Sequence, residues 1–285
     1  MKIDTINDVS EHPCFSAKAA HKNARIHLPV AKNCNVGCNY CNRKYDCMNE
    51  SRPGVCSEII SPEGALERFQ YYKQRIDNLK VVGIAGPGEA LANWEETSQT
   101  INLIRAYDPK VIICMSTNGL KLPGLKEQIV DLGISHVTVT VNAVKAETAA
   151  RIYRFVNYKG KKYTGTEGAQ ILLNNQLEGI SYLTRKGIMV KANIVMIPGI
   201  NEDEIPQVVQ KMKAMGVFIT NIMPLIPVKG SAFADFPATD QHDLMAMRRT
   251  CQTEMRQMFH CQQCRADAVG LLNHDCGNDL KLKAV

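Results

Sequence analysis

From residue 25 onward, short runs rich in β-branched residues alternate with longer stretches whose apolar positions recur every three or four residues. The short runs predict strands at 25–30 (RIHLPV), 80–86 (KVVGIAG), 110–116 (KVIICMS), 136–142 (HVTVTVN), 188–195 (IMVKANIV) and 217–223 (VFITNIM). The longer ones predict helices near 62–77, 93–107, 122–132, 145–154, 167–187, 202–214 and 239–258. Ser61-Pro62 followed by Glu63 reads as an N-cap with proline at the first helical position, and Gly133, Gly187 and Gly216 close three helices just before the next strand. Strands that alternate with helices pair in parallel through crossovers, so the fold class is α/β. Residues 25–238 form the body, with an N-terminal arm (1–24) and a C-terminal extension (239–285).

The strands also sort their residues by face. Val137, Val139 and Val141 oppose His136, Thr138, Thr140 and Asn142; Val111, Ile113 and Met115 oppose Ile112, Cys114 and Ser116. Lys191 shares a face with Asn193, and Arg25 with His27. Helices cover the aliphatic face, which turns the polar face inward. A closed eight-stranded barrel fills its interior with aliphatic side chains, so a polar interior predicts a wider, incomplete barrel around something polar. An open sheet with one wet face is the alternative.

Composition narrows the class. The 285 residues carry 34 Lys+Arg and 28 Asp+Glu, a net +6 without a block of like charge, which argues against nucleic acid and against acidic membranes as partners. No apolar run approaches a membrane span, and the acidic N-terminus lacks the layout of a signal peptide, so a soluble, cytoplasmic protein is expected. Eleven cysteines are too many to ignore and odd in number. Disulfides do not suit a reducing compartment, which leaves packing, metal ligation or reactive thiols.

Spacing decides for the first group. Cys34, Cys38 and Cys41 stand as CNVGCNYC directly after the first predicted strand. Three thiolates in C-x3-C-x2-C on a loop suit one 4Fe-4S cluster with an iron left open for chemistry. Zinc is the competing metal, with Cys47 as a fourth ligand. Cys261 and Cys264 form a C-x2-C half-site in HCQQCRADAVG, while Cys14, His27 and Cys114 are candidate ligands from the arm and two strands.

The triad after strand one, with Tyr40 before its last cysteine, resembles the radical S-adenosylmethionine (SAM) enzymes. The resemblance implies a partial (β/α)6 TIM-like barrel whose catalytic cysteines Cys34, Cys38 and Cys41 hold a 4Fe-4S cluster that binds SAM at its open iron. One electron then cleaves SAM to methionine and a 5′-deoxyadenosyl radical. GPGE at 86–89 resembles the family's glycine turn along the SAM methionine, so Gly86, Gly88 and Glu89 are expected to bind the cofactor, Glu89 by accepting from its ammonium. A helix N-terminal carboxylate is the other reading of Glu89. Ser116, Asn118 and Asn142, at the ends of strands three and four, are expected near the ribose, with turn and cap roles as the alternative; IPGIN at 197–201 resembles the adenine-side segment.

Within that superfamily the segments HPCFSAKA (12–19), HLPVAKNCNVGCNYCNRKYDC (27–47), NESRPGV (49–55), AGPGEAL (85–91), STNGL (116–120) and HCQQCRADAVG (260–270) resemble the maturases of the nitrogenase cofactor, here in a stand-alone form. What this implies is a chain that fuses two 4Fe-4S clusters, inserts a carbide taken from SAM and adds a further sulfur, expected from sulfite, to give an 8Fe-9S-C precursor. The implied metal ligands of the two auxiliary clusters are Cys14, His27 and Cys114 for one, and Cys47, Cys261 and Cys264 for the other. Implied partners are an iron-sulfur cluster donor, an electron donor and a carrier or scaffold protein that receives the product. Another radical SAM enzyme with auxiliary clusters, acting on an organic or peptide substrate, is the alternative. Cys56, Cys251 and Cys276 have no motif role. Glu50, Glu89, Asp267 and His260 are candidate acid–base groups; Arg52 and Arg265 would offset cluster charge or form ordinary salt bridges. The basic loop 156–166 is read as solvated surface, with a lid over the cavity as the alternative.

Overall fold

The computed structural model describes residues 11–49 and 54–276. The arm forms one short helix, α1 (Ala17–Ala20), capped by the Ser16 hydroxyl, which accepts the Ala19 amide. β1 (Ala24–His27) opens the main sheet and β2 (Val36–Cys38) carries part of the cysteine motif. Then follow α2 (Pro62–Lys73), β3 (Leu79–Ile84), α3 (Trp94–Tyr107), β4 (Ile112–Thr117), α4 (Leu122–Asp131), β5 (His136–Thr140) and α5 (Ala146–Ile152). A hairpin, β6 (Tyr153–Tyr158) and β7 (Lys161–Tyr163), precedes α6 (Gly165–Arg185), β8 (Met189–Met196), α7 (Ile205–Ala214), β9 (Ile219–Pro224) and α8 (Gln241–Gln252). The tail adds β10 (Val269–Leu271) and β11 (His274–Asp275). Among the described residues no helix is long and apolar enough to cross a membrane.

The main sheet runs β11-β10-β1-β3-β4-β5-β8-β9, with every pair from β1 to β9 parallel. The six predicted strands are these six. Left-handed backbone at Gly133, Gly187 and Gly216 (φ +68°, +78° and +76°) ends α4, α6 and the α7 turn, as the sequence predicts. The outer face of the sheet is aliphatic: Ile113, Val137, Val139 and Ile194 pack with Ile104 of α3 and Leu183 of α6 in one core. The opposite face is polar and lines a cavity, as the strand alternation predicts.

Two segments differ from the sequence reading. Residues 156–166 are mostly exposed, as expected, but form much of a regular hairpin rather than an irregular loop. Lys159 and Gly160 both adopt positive φ (50° and 75°), which is the two-residue turn of a tight hairpin, and β6 pairs antiparallel with β2. The hairpin thus buttresses the cysteine motif. The C-terminal extension, in turn, is stitched to the barrel: β10 pairs antiparallel with β1, Arg25 opposite Gly270, so the tail covers the sheet edge beside the arm.

Helix α6 lies close against the start of α4. A Cβ on Gly179 would overlap the Cβ of Leu122 and stand 2.7 Å from its Cδ1, whereas a Cβ on Gly124 of α4 would meet nothing within 4 Å. Gly179→Ala is expected to destabilise by about 1–3 kcal/mol through overpacking, and Gly124→Ala to stabilise by about 0.4–1 kcal/mol through lost unfolded-state entropy. Urea unfolding of both variants checks this; equal shifts would contradict the packing described.

Candidate functional site

The three motif cysteines sit where β1 hands over to β2. Cys38 lies in β2 and is buried; Cys34 and Cys41 flank it, half-buried. Tyr40, wholly buried, ties the loop down: its hydroxyl donates to Asn49 Oδ1 at 2.6 Å and accepts from Asn142 Nδ2 at 2.8 Å. Burial pushes the Cys38 thiol well up, with Cys41 and Cys34 adding to it, and burial with the Glu89 carboxylate pushes Cys34 up to about 12. Such groups are thiols at neutral pH, so loading metal on them releases protons.

The thiols are not gathered around a single point. Among the described residues, the one trio of His, Cys, Asp or Glu ligand atoms lying within 4.8 Å of each other is Asp240, His242 and Asp243. These are exposed and form the N-terminal cap of α8, Asp240 Oδ1 accepting the His242 and Asp243 amides. No cysteine trio is drawn in to the spacing of about 3.8 Å that zinc–sulfur bonds of about 2.3 Å impose on a tetrahedron.

The GPGE turn is placed beside the triad, for reasons the sequence did not indicate. A Cβ on Gly88 would overlap Asn33 O and stand 2.8 Å from both Ala31 O and Lys32 O. Gly88 is therefore needed for chain against chain, since the Gly88 and Glu89 amides donate to Ala31 O and Asn33 O. Gly86 takes positive φ (113°) at the start of the same turn. Glu89 is buried and already engaged. Its Oε1 accepts from Thr117 Oγ1 at 2.5 Å and the Leu91 amide at 3.0 Å, and its Oε2 from the Asn118 amide at 2.6 Å. The helix-capping alternative for Glu89 is thus present, and Oε2 keeps room for one more donor. Burial raises its pKa against those three hydrogen bonds.

Asn118 Nδ2 donates to Asn35 Oδ1 at 2.7 Å and lies 3.9 Å from Cys34 Sγ, while its Oδ1 accepts the Leu120 amide. Ser116 faces the cavity. Asn142 is wholly buried; its Nδ2 donates to Tyr40 and Tyr153, and its Oδ1 accepts the Val195 amide, which ties the triad loop to the ends of β5 and β8.

A cavity opens on the inner face of the sheet, and Cys14, His27, Cys114, Cys261 and Cys264 all line it. Strand register builds one wall. His27 of β1, Gly83 of β3, Cys114 of β4 and His136 of β5 are consecutive partners across four parallel strands. Gly83 leaves a notch between two donors, since a Cβ there would sit 3.0 Å from Cys114 Sγ and 3.5 Å from His27 Nε2. His27 Nδ1 lies 3.0 Å from Arg265 O, which can only accept, so the proton is on Nδ1 and Nε2 keeps its lone pair. Burial, then the Arg25 charge, lowers the His27 pKa to about 4, which keeps the ring neutral. Burial also raises the Cys114 thiol to about 12.

The partition of ligands into two sets does not emerge cleanly. Cys14 is within electrostatic reach of Cys261, Cys264 and Cys114 alike. Cys47 is buried near Arg43 and Tyr40, its amide donates to Pro87 O, and it does not line the cavity.

Cations accompany the thiols, and here sequence reasoning missed the main ones. Arg43 donates to Pro87 O at 2.9 Å and Lys32 O at 2.7 Å, and its pKa is raised, against burial, by Cys47, Cys34 and Cys41. Arg25, buried, donates to Gly270 O, Leu271 O and, at 3.2 Å, Cys264 Sγ. Asn221 Nδ2 donates to Cys261 Sγ at 3.3 Å. Arg265 takes its ordinary alternative, a two-bond salt bridge to Asp267 at 2.7 and 3.0 Å. Burial would raise the Asp267 pKa, but Arg265 outweighs it and lowers it, which disqualifies Asp267 as a base near neutrality. His260 is tied to Pro13 O. Glu50 and Arg52 lie outside the described residues. Cys251 is a core thiol of α8, Cys56 is exposed and bonded to Lys44 O, and Cys276 lies beside His274.

Among solved structures, the fold is similar to Streptococcus suis SuiB bound to S-adenosylmethionine, with a TM-score of 0.60 at 12% identity over 82% of this chain and 49% of that one. It is also similar to anSMEcpe with bound AdoMet, with a TM-score of 0.53 at 14% identity over 84% of this chain and 64% of that one. In sequence it is similar to the FeMo cofactor biosynthesis protein NifB of Klebsiella pneumoniae (50% identical, 93% of this chain, 57% of that protein) and of Frankia alni (45%, 95% and 55%). The NifB of Chlorobaculum tepidum is 40% identical over 98% of this chain and 66% of its own length. The chain thus spans between half and two thirds of these relatives. The model of the Radical SAM superfamily matches residues 28–212, the stretch that holds the cysteine triad and most of the parallel sheet, and by that match the chain belongs to the radical SAM superfamily.

Proposed function

We propose that this chain is a maturase of the nitrogenase cofactor. In this reading it fuses two 4Fe-4S clusters, with a carbide derived from SAM and one further sulfur, into an 8Fe-9S-C product. The observation that carries the reading is one cavity lined at once by Cys14 from the arm, His27 and Cys114 from the barrel, and Cys261 and Cys264 from the tail. The similarity to the NifB relatives supports the same reading. Soft ligands from the arm and the barrel, and not from the tail alone, favour this reading over an auxiliary-cluster enzyme with an organic substrate.

Cys34, Cys38 and Cys41 would hold the resident cluster, and the Gly86–Glu89 turn with Asn118 would flank SAM. When bound, that cluster and SAM supply one-electron reductive cleavage and a methyl donor. The residues of the chain do the rest. The two auxiliary clusters are substrates, and the cavity binds them with few and mixed ligands. In the proposed assignment Cys14, His27 and Cys114 hold one, while Cys261 and Cys264, with Cys47, hold the other. A neutral imidazole is a weaker ligand than a thiolate, so His27 favours departure of the product. Arg25 and Arg43 offset the charge of the loaded thiolates. A cluster donor and an electron donor would feed the site, and a carrier protein would take the product away.

Three outcomes test this. Anaerobic protein reconstituted with iron and sulfide and given dithionite and SAM is expected to form 5′-deoxyadenosine and S-adenosylhomocysteine together; deoxyadenosine alone would send the assignment to a radical SAM enzyme with an organic substrate. The double variant Cys261→Ala/Cys264→Ala should lose about four irons per chain and keep SAM binding, because it removes one cluster's ligands and leaves the triad intact. Deleting the tail would be a poorer test, since β10 closes the edge of β1. His27→Cys is expected to retain its cluster yet slow product release by about tenfold or more, a rate read from transfer of the iron-sulfur product to an acceptor. Unchanged transfer in that variant would remove the role assigned to the imidazole.

A further inference from the structure

A second histidine of the cavity is set the opposite way to His27. His12 lines the cavity and is 1% exposed. Its Nδ1 accepts the Cys14 amide at 3.0 Å. A backbone N–H can only donate, so Nδ1 bears no proton and the neutral ring carries its single proton on Nε2. Burial keeps the ring neutral, with His136 and Lys191 acting in the same direction. Nε2 is buried and has no hydrogen-bond partner among the described residues. His27 therefore offers the cavity a lone pair, whereas His12 offers it an N–H. The Cys14 amide that fixes this tautomer also rules out His12 as a metal ligand through Nε2.

A cation stands beside it. Lys191 of β8 is 7% exposed and lines the same cavity, in register with Thr138 and Ser116, which line it too. Among the described residues its ammonium makes no salt bridge to a carboxylate. Its nearest recorded companion is the ring of Phe15, 5.5 Å away, and His12 packs edge-on against that same ring at 4.8 Å. His136 is tilted against His12 at 4.5 Å and meets Phe15 at 4.7 Å, so the donor ring sits in a cluster of three rings. A cavity-lining ammonium without a carboxylate and a buried N–H without an acceptor, both packed on Phe15, lack only an anion.

We propose that His12 Nε2–H and the Lys191 ammonium form an anion subsite for a sulfur anion, met either as a sulfide of the cluster substrate or as a small sulfur oxyanion from solution. The occupant's chemistry rests on the cluster-handling reading above; the donor pair itself does not. Both groups are positioning residues: they hold an anion against the wall that carries His27 and Cys114, and neither bonds to iron.

The test titrates sulfite, with sulfate as a comparison, into the full anaerobic chain by calorimetry before and after cluster loading. Wild type, Lys191→Met, Lys191→Arg and His12→Phe are compared, with circular dichroism to establish folding. If the subsite takes a free oxyanion, wild type binds sulfite, Lys191→Met and His12→Phe bind it at least about tenfold more weakly, and Lys191→Arg retains binding. If it takes a cluster sulfide, no oxyanion binding is seen, and Lys191→Met and His12→Phe change the Mössbauer spectrum of the auxiliary clusters while the triad signal stays. Folded variants that match wild type in both measurements overturn the assignment. A wild-type protein that forms no S-adenosylhomocysteine would instead retire the maturase reading, and sulfite binding by the donor pair would still stand or fall on its own.

Discussion

A thiolate cannot stay buried in apolar surroundings without a cation or a metal beside it. Much of this molecule is arranged around that constraint. Arg43 stands by the triad and Cys47, Arg25 by Cys264, and Lys191 within reach of Cys14 and Cys114. The two guanidinium groups are themselves fixed by backbone carbonyls, Arg43 by Pro87 and Lys32, Arg25 by Gly270 and Leu271. Each thus joins segments remote in sequence: the triad loop to the glycine turn, the first strand to the tail. Charge compensation and chain closure are here one set of contacts, and losing either arginine would cost both.

Glu89 shows the same economy with the opposite sign. Buried beside Cys34, it raises that thiol, which weakens premature deprotonation, and its oxygens gather Thr117, Asn118 and Leu91 into a fixed corner. Asn118 in turn reaches Asn35 and Cys34. The end of β4, the glycine turn and the triad loop are therefore positioned by one carboxylate at the polar rim of the sheet.

What is legible in the sequence follows from periodicity. The six parallel strands and their polar inner face can be read directly, because alternation along a strand is a local property. The inward placement of His27 and Cys114 comes from the same argument. Residues whose meaning depends on partners far along the chain are not legible in this way. Gly88 resembles a ligand-binding glycine, yet the carbonyls of 31–33 crowd it. Asn142 ends a strand where ribose contacts are expected, and its bonds to Tyr40 and Val195 come from segments far along the chain. The hairpin at 153–163 is hidden because its turn is Lys-Gly rather than Asn-Gly and its partner strand is the cysteine motif itself. Arg43 sits in a motif read for its cysteines, and only the fold brings it back over Pro87.

The two ends of the described chain finish the cavity that the barrel begins. Strand register supplies a row with a notch at Gly83, but His27 acquires its ligand tautomer from Arg265 O in the tail, and the wall is completed by Cys14 and His12 in the arm. Ala268 O accepts the His27 amide and Pro13 O meets His260, so arm, first strand and tail are bonded to one another around the opening. A barrel alone would carry the triad and one wet face. Cys14, Cys261 and Cys264, and the tautomer of His27, come from segments that carry no barrel strand, and it is those segments that line the cavity with thiols beyond the triad.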